Sequence, residues 1–363
     1  MYIGNRAYSP ESHNLSTATL GLASPPSFLL RYRQEIDAEL RALVDGQRAA
    51  FSPQVCYQLG WIDEQGRSSV VGGGKALRPS LTLLACEGLG GDRGQALPLA
   101  AAVELAHNFS LVHDDVQDGD RERRHHPTAW VLWGVPQAIN LGDALAGLAL
   151  AALRSATDRG LPPSHALEAR RVLTHACLEM IEGQQMDLSL EGEKTVSLHD
   201  YLMMAERKTG ALMGASLELG ALVAGGAGAQ LAACRQAGRS LGLAFQVRDD
   251  CLSIWSGRSE TGKDTGGDIL RKKKSLPVVF GLSQTGPPAA ELGRIYRRNA
   301  LSLEDVDRVR CLLTEAGALT YARRLADELG QTALMQLQSV GLAPWAQEEL
   351  RLLVDYLIQD LKR

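Results

Sequence analysis

The sequence predicts an all-α fold, a single large helical bundle with buried central helices, on three observations. Alternation of period two is hard to find along the 363 residues, whereas apolar residues recur at helical spacing throughout. The stretches 95–118 and 208–225 are apolar almost all round, which places them in the interior rather than at the surface. Gly and Pro clusters punctuate the chain between long segments.

In order along the chain, residues 27–50 carry Phe28, Leu29, Ile36, Leu40 and Leu43 spaced for one helix face. A loop through Gly72-Gly73-Gly74 to Pro79 follows, then a helix near 79–90, a break at Gly90-Gly91, and a long helix near 95–118. Further helices cover 136–156, 164–190, 198–225 and 229–256. The breaks between them fall at Arg159-Gly160-Leu161-Pro162-Pro163, Glu191-Gly192 and Gly225-Gly226. A polar loop, 256–274, rich in Gly, Asp and Lys, comes after Trp255. The tail holds a helix from Pro277, a break at Thr285-Gly286-Pro287-Pro288, and amphipathic segments to Arg363. Ser302 with Glu304 and Asp305 marks the N-terminus of one of these segments. No repeat of fixed period is present. Residues 1–26 are polar, contain Ser24-Pro25-Pro26 and lack the apolar run of a signal peptide, so they read as a flexible extension ahead of one domain, 27–363.

Apolar residues make up 45% of the chain, enough for a sizeable core without covalent staples. A formal charge of −4 gives no support for nucleic-acid binding. The six cysteines (56, 86, 177, 234, 251, 311) form no C-x-x-C pair and no metal-type spacing. They read as reduced core thiols of a cytoplasmic protein. The Ala/Leu-rich runs are interrupted by charge or Gly, and no stretch of 18 uncharged apolar residues is expected to span a membrane.

Two aspartate pairs are set in apolar helical stretches about 135 positions apart: His113-Asp114-Asp115-Val116-Gln117-Asp118, and Gln246-Val247-Arg248-Asp249-Asp250. Buried carboxylates are costly unless cations pair with them. Asp114 and Asp118 are four apart and stack on one helix face, while Asp115 is turned about 100° away. Such a stacked pair suits magnesium, which takes one or two carboxylates, keeps waters and completes its shell with substrate phosphate. Arg121, Arg123 and Arg124 follow as planar donors for phosphate. A solvated, salt-bridged helix end explains the first cluster alone equally well. His113-Asp114 also hints at an HD-type phosphohydrolase, but the further metal-ligand histidines are not found.

In the second cluster Gln246 and Asp249 share a face, with Ser253 four residues beyond Asp249. Lys263, Asp268 and Lys272-Lys273-Lys274 lie in the loop that follows, and a lysine run is ordinarily a solvated face. Lys75 and Arg78 sit in Gly74-Lys75-Ala76-Leu77-Arg78-Pro79, and Lys208 precedes Thr209 in an apolar segment. Together these donors exceed what one monophosphate needs; two diphosphates would use them all.

At this point the sequence resembles the trans-isoprenyl diphosphate synthases, from about residue 27 to residue 285. The family's D-D-x-x-D followed by R-R-x-x-P-T is met by Asp114, Asp115, Asp118, Arg123, Arg124, Pro127 and Thr128. Its G-K-x-x-R-P is met by Gly74, Lys75, Arg78 and Pro79, and its E-L-x-H by Glu104-Leu105-Ala106-His107. Gly183, Gln184 and Asp187 match G-Q-x-x-D, Lys208-Thr209 the K-T pair, and Phe245, Gln246, Asp249 and Asp250 match F-Q-x-x-D-D. So many elements in order are specific, where a lone D-D-x-x-D is not.

The resemblance implies an isoprenoid synthase bundle around an apolar cavity, and a homodimer without stable membrane insertion. It implies magnesium, three ions per site, held by Asp114 and Asp118 on one side and Asp249 on the other. Asp115, Gln246, Asp250 and Lys208 would complete the catalytic set. Arg123, Lys208 and Lys263 would contact the allylic diphosphate, with Thr209 and Lys273 nearby. Lys75, Arg78, His107 and Arg124 would hold isopentenyl diphosphate. The family often limits product length five residues before the first motif aspartate, here Phe109 with Ser110 beside it. A bulky residue there implies a farnesyl or geranylgeranyl product, preferably geranylgeranyl. Trp130 and Trp133 are candidates for the cavity wall, with core packing favoured.

Two departures stand out. The second motif should end in Asp where Ser253 stands, which implies a weakened third metal site. It also admits a class I terpene cyclase, although the Glu that would complete that motif is Gly257. His125 replaces a Gly common in the family after the Arg pair. A cyclase has no use for the second diphosphate site, and an intact first motif counts against a non-catalytic subunit of a heteromeric synthase.

Overall fold

The computed structural model describes residues 26–47, 51–69, 74–193, 195–255 and 266–359. Lys263, Gly257 and nearly all of the N-terminal extension therefore lie outside the described residues. Among the described residues the regular elements are helices, as the sequence predicts, together with one two-stranded hairpin and an isolated bridge between Ile62 and Ser68.

The helix expected over 27–50 is two: α1 (Phe28–Arg31) and α2 (Arg33–Gln47). A short α3 (Ser52–Gln58) occupies part of what was expected to be loop, and α4 (Leu77–Gly88) follows. The long α5 (Arg93–Gln117) begins at Asp92, whose side chain accepts from the Gly94 amide at 2.8 Å. Beyond it come β1 (Glu122–Arg123), β2 (His126–Pro127), α6 (Ala129–Trp133), α7 (Val135–Asp158) and α8 (Pro163–Gly192).

The helix expected over 198–225 is interrupted. α9 (Leu198–Ala205) opens with a Ser197/Asp200 capping box, passes into one π-helical turn (Glu206–Gly210), and resumes as α10 (Ala211–Val223). Such turns insert a residue into a helix and are frequent at functional sites. Periodicity alone hides it. Next are α11 (Ala229–Trp255), α12 (Gly267–Leu270), α13 (Leu276–Ser283), α14 (Pro287–Tyr296), α15 (Leu303–Glu315), α16 (Ala318–Gln338) and α17 (Pro344–Gln359). The predicted cap is present, with Ser302 and Asp305 forming a capping box on α15.

All 13 residues of α10 are buried, which is why that segment is apolar all round. It is surrounded by α4, α5, α8 and α11, and α5 packs along α7. Smaller apolar clusters under α12–α16 extend the core at the C-terminal end. α7, interrupted by Asp143 and Arg154, is long and apolar enough to cross a membrane by length and composition alone, a test that core helices also meet, and 39% of the relevant window is buried in the bundle.

Trp130 and Trp133 belong to the packing, as favoured. Trp130 donates to the Asp120 carbonyl at 2.8 Å, and Trp133 meets Tyr57 edge-on at 5.3 Å. The hairpin pairs Arg123 with His126, so Arg124 and His125 form its two-residue loop with φ of 53° and 65°. That is the left-handed pair a tight hairpin requires. A Gly at position 125 would adopt it freely, whereas His125 holds it against side-chain crowding.

Candidate active site

A cavity of about 840 Å³ runs between α5, α7, α8 and α11. Arg78, His107, Asp114, Arg123, Arg124, Lys208, Thr209, Gln246 and Asp249 line its polar part. Phe109, Ala146, Ala149, Leu150, Leu173, Cys177, Met180 and Ile181 line the apolar part. Along α5, Phe109 lies about 7.5 Å below Asp114, so the two parts are successive levels of one pocket. Phe109 is buried, T-stacked on His113 at 6.0 Å, and the Ser110 hydroxyl beside it donates to the His107 carbonyl at 2.8 Å.

Lys208, carried inward by the π-turn, is the ionic hub. Its Nζ lies 2.7 Å from Asp187 Oδ2 and 3.7 Å from Asp114 Oδ2. Lys273 approaches the same Asp187 oxygen at 3.4 Å. Burial works against the Asp187 charge, but Lys273 and Lys208 outweigh it and hold the carboxyl below its usual range. Asp114 is pushed the other way, by burial and by Asp118, with Lys208 opposing. The side-chain amide of Gln184 donates to Asp118 at 3.4 Å. This geometry depends on Gly183: a Cβ there would stand 2.2 Å from the Lys208 backbone nitrogen.

The other members of the acidic pairs behave differently from expectation. Asp115 and Asp250, expected in the catalytic set, do not line the cavity. Asp115 is 2% exposed and receives Arg123 through Nε at 2.8 Å and Nη2 at 2.6 Å. Burial pushes its carboxyl up to about 6 against that partner. Its geometry orients Arg123 toward the cavity. Asp250 is fully engaged by the Tyr201 hydroxyl (2.7 Å), the Gln246 amide (2.8 Å) and the Leu276 backbone N–H (2.7 Å). Burial raises it too, to about 6, with these donors opposing. Gln246 in turn accepts from Thr209 at 2.7 Å, so Asp250 anchors a chain that ends at the cavity wall.

Asp249 faces the cavity with its side chain 45% exposed, 3.3 Å from Arg248 Nη1. The Ser253 hydroxyl turns back to donate to the Asp250 carbonyl at 2.9 Å, and Ser253 is absent from the cavity wall. Among the described residues no three acidic, His or Cys side chains form a ready cage for a metal. Asp114 and Asp249 bring carboxylate oxygens to the cavity wall, Asp114 desolvated and facing the charge of Asp118, whereas Asp118, expected as a ligand, stands one turn further along outside that wall, half-buried against Gln184. That donor set fits a hard divalent ion completed by phosphate oxygens and water.

The second cationic set lies on α4, α5 and the hairpin. Arg78 Nη1 lies 3.2 Å from His107 Nε2. Burial, then Arg78, Arg124 and Arg123, push the imidazole well below its usual range, so it is neutral and its ring nitrogen accepts from Arg78. Arg124 lies across Gly74, where a Cβ would be 2.3 Å from its Nη2. Buried Glu104 supplies a counter-charge to Arg124 and Arg78. Lys75 and Lys273 stand outside the cavity wall; Lys75 is exposed and donates to the Tyr356 hydroxyl at 2.6 Å. Tyr201 and Tyr356 carried no sequence signal, each being one tyrosine in an ordinary helical segment.

The family model described as polyprenyl synthetase matches residues 60–313. The chain is 41% identical over 319 residues to geranylgeranyl diphosphate synthase of Mycobacterium tuberculosis, covering 88% of this chain and 90% of that one. It is 42% identical over 286 residues to (2E,6E)-farnesyl diphosphate synthase of Mycobacterium bovis, covering 78% and 76%. The crystal structure of polyprenyl synthetase from Streptomyces coelicolor A3(2) superposes with a TM-score of 0.85 at 36% identity, over 91% of this chain and 98% of that one. With its paired acidic helices over one apolar cavity and these relatives across most of its length, this chain belongs to the polyprenyl synthetase family.

Proposed function

We propose that this chain is a magnesium-dependent prenyltransferase that joins isopentenyl diphosphate to an allylic diphosphate, giving a linear trans-prenyl diphosphate. The observation that carries this reading is the cavity itself: facing carboxylates and two separate cationic sets at its polar level, and an apolar well below. Lys208, Arg123 and Gln246 would bind and orient the allylic diphosphate, and Arg78, His107 and Arg124 the second diphosphate. Magnesium, three ions held by Asp114, Asp118 and Asp249, would supply charge neutralisation for the departing diphosphate.

The allylic C–O bond breaks with its electron pair leaving on diphosphate. The double bond of isopentenyl diphosphate attacks the allylic carbon, and a C–H bond next to the new cationic centre then breaks, its electrons forming the product alkene and its proton passing to the released diphosphate. Fixed cations aimed at the leaving oxygens stabilise the charge that develops there. The apolar walls below keep water from the allylic cation.

Phe109 at the lower level supports a short product, geranylgeranyl or farnesyl diphosphate. In Phe109→Ala the floor opens, and the main product should lengthen by at least one five-carbon unit, read by mass spectrometry; an unchanged product spectrum would remove Phe109 from that role. A homodimer is supported by the apolar side chains that α7 and α8 leave in solvent, including Leu167 at 71% and Leu178 at 56% exposure. The cyclase reading is not favoured, because the complete second cationic set would have no task.

The test supplies each allylic primer, from dimethylallyl to geranylgeranyl diphosphate, with magnesium, with and without isopentenyl diphosphate. Linear diphosphates whose formation requires isopentenyl diphosphate are the expected result. Cyclic or hydrocarbon products formed without it would replace this reading with the cyclase, and no turnover would replace it with a non-catalytic subunit.

A further inference from the structure

Tyr356 lies on α17, 281 residues from Lys75 in sequence, and is 8% exposed. Lys75 Nζ donates to its hydroxyl at 2.6 Å and stands 5.2 Å from the ring centroid. Arg248, buried on α11, approaches the same group: Nη2 is 3.5 Å from the hydroxyl oxygen and the guanidinium 5.1 Å from the ring. One phenol thus receives two cations, through its oxygen and through its electron-rich face. The oxygen accepts from both, closely from Lys75 and at longer range from Arg248, which leaves its own hydroxyl proton to be given away. Among the described residues no acceptor for it is present.

The two cations belong to different halves of the site. Lys75 stands three residues ahead of Arg78 of the second cationic set, in the loop before α4, on an exposed, flexible stem. Arg248 continues directly to Asp249, at 3.3 Å, in the acidic set. Left alone, an exposed lysine samples many rotamers and loses that freedom when it binds phosphate. Held on Tyr356, it is fixed beforehand.

Building on the activity proposed above, we propose that Tyr356 is a positioning residue for the isopentenyl diphosphate site. Its hydroxyl holds the Lys75 ammonium in place beside Arg248, and its spare proton is offered to a diphosphate oxygen that Lys75 binds. The C-terminal helix thereby becomes part of the second-substrate site.

Tyr356→Phe keeps the ring and removes only the hydroxyl. Steady-state kinetics, varying each substrate at saturating levels of the other, should show the KM for isopentenyl diphosphate rising about tenfold. The KM for the allylic diphosphate, kcat and the unfolding temperature should stay near their original values. In a Lys75→Ala background the same substitution should add little, because its main route of action is gone. Tyr356→His, which keeps a ring and a hydrogen-bonding atom, should fall between. An unchanged KM for isopentenyl diphosphate in a folded Tyr356→Phe protein, or an equal rise in both KM values, overturns this inference alone. Absence of isopentenyl-dependent elongation by the unaltered protein overturns the activity and this inference together.

Discussion

In Asp114→Ala, turnover should fall about a thousandfold or more while the fold survives. A thousandfold corresponds to about 4 kcal/mol of transition-state stabilisation. Asp114 is the carboxylate whose surroundings least favour an isolated charge: burial raises it, and Asp118 on the same face adds repulsion. A group so placed contributes little to stability, and Lys208 keeps Asp187 at 2.7 Å when Asp114 is gone. The unfolding temperature should therefore stay level or rise slightly. Near-normal kcat in a folded variant would end the metal assignment.

Gly183→Ala should be nearly as damaging, although it adds only a methyl group that touches no substrate. The new Cβ would meet the Lys208 backbone nitrogen at 2.2 Å, and backbone cannot swing aside as a side-chain end can. α8 and the π-turn must separate by roughly an ångström, which moves Lys208 and Thr209 relative to Asp114. Displacement of that order is worth about a hundredfold in rate. The check is kcat together with circular dichroism. Full activity in a folded protein would show that the bundle absorbs the change without moving Lys208.

Much of this was legible in the sequence, for identifiable reasons. α5 and α10 are apolar all round because they are enclosed, and enclosure is what hydrophobic periodicity reports. Asp114, Asp249 and Lys208 stand out because charges set in apolar helices are rare and must have partners, Arg78 because it is grouped with Lys75, and His107 only through the resemblance to the family's E-L-x-H element. What stayed hidden depends on contacts between distant segments. Nothing local distinguishes Asp115 and Asp250, which bind Arg123 and the Tyr201–Gln246–Leu276 donors, from Asp114 and Asp249, which face the cavity. The π-turn leaves the composition of 198–225 unchanged. The αL conformation of His125 shows in sequence only as an unexpected side chain where Gly is common.

The position of Lys208 between Asp187 and Asp114 has a thermodynamic consequence for ligand order. A diphosphate that draws this ammonium toward itself leaves Asp114 beside Asp118 with only the more modest compensation of Arg123 and Lys273, and so raises the affinity of that pair for a divalent ion. A divalent ion bound there releases the ammonium for phosphate. The two ligands are therefore linked, and reciprocity requires each to tighten the other by the same factor. Calorimetric titration of pyrophosphate at rising magnesium, and of magnesium at rising pyrophosphate, should return equal coupling after correction for their association in solution. Independent binding of the two would show that Lys208 does not change partners.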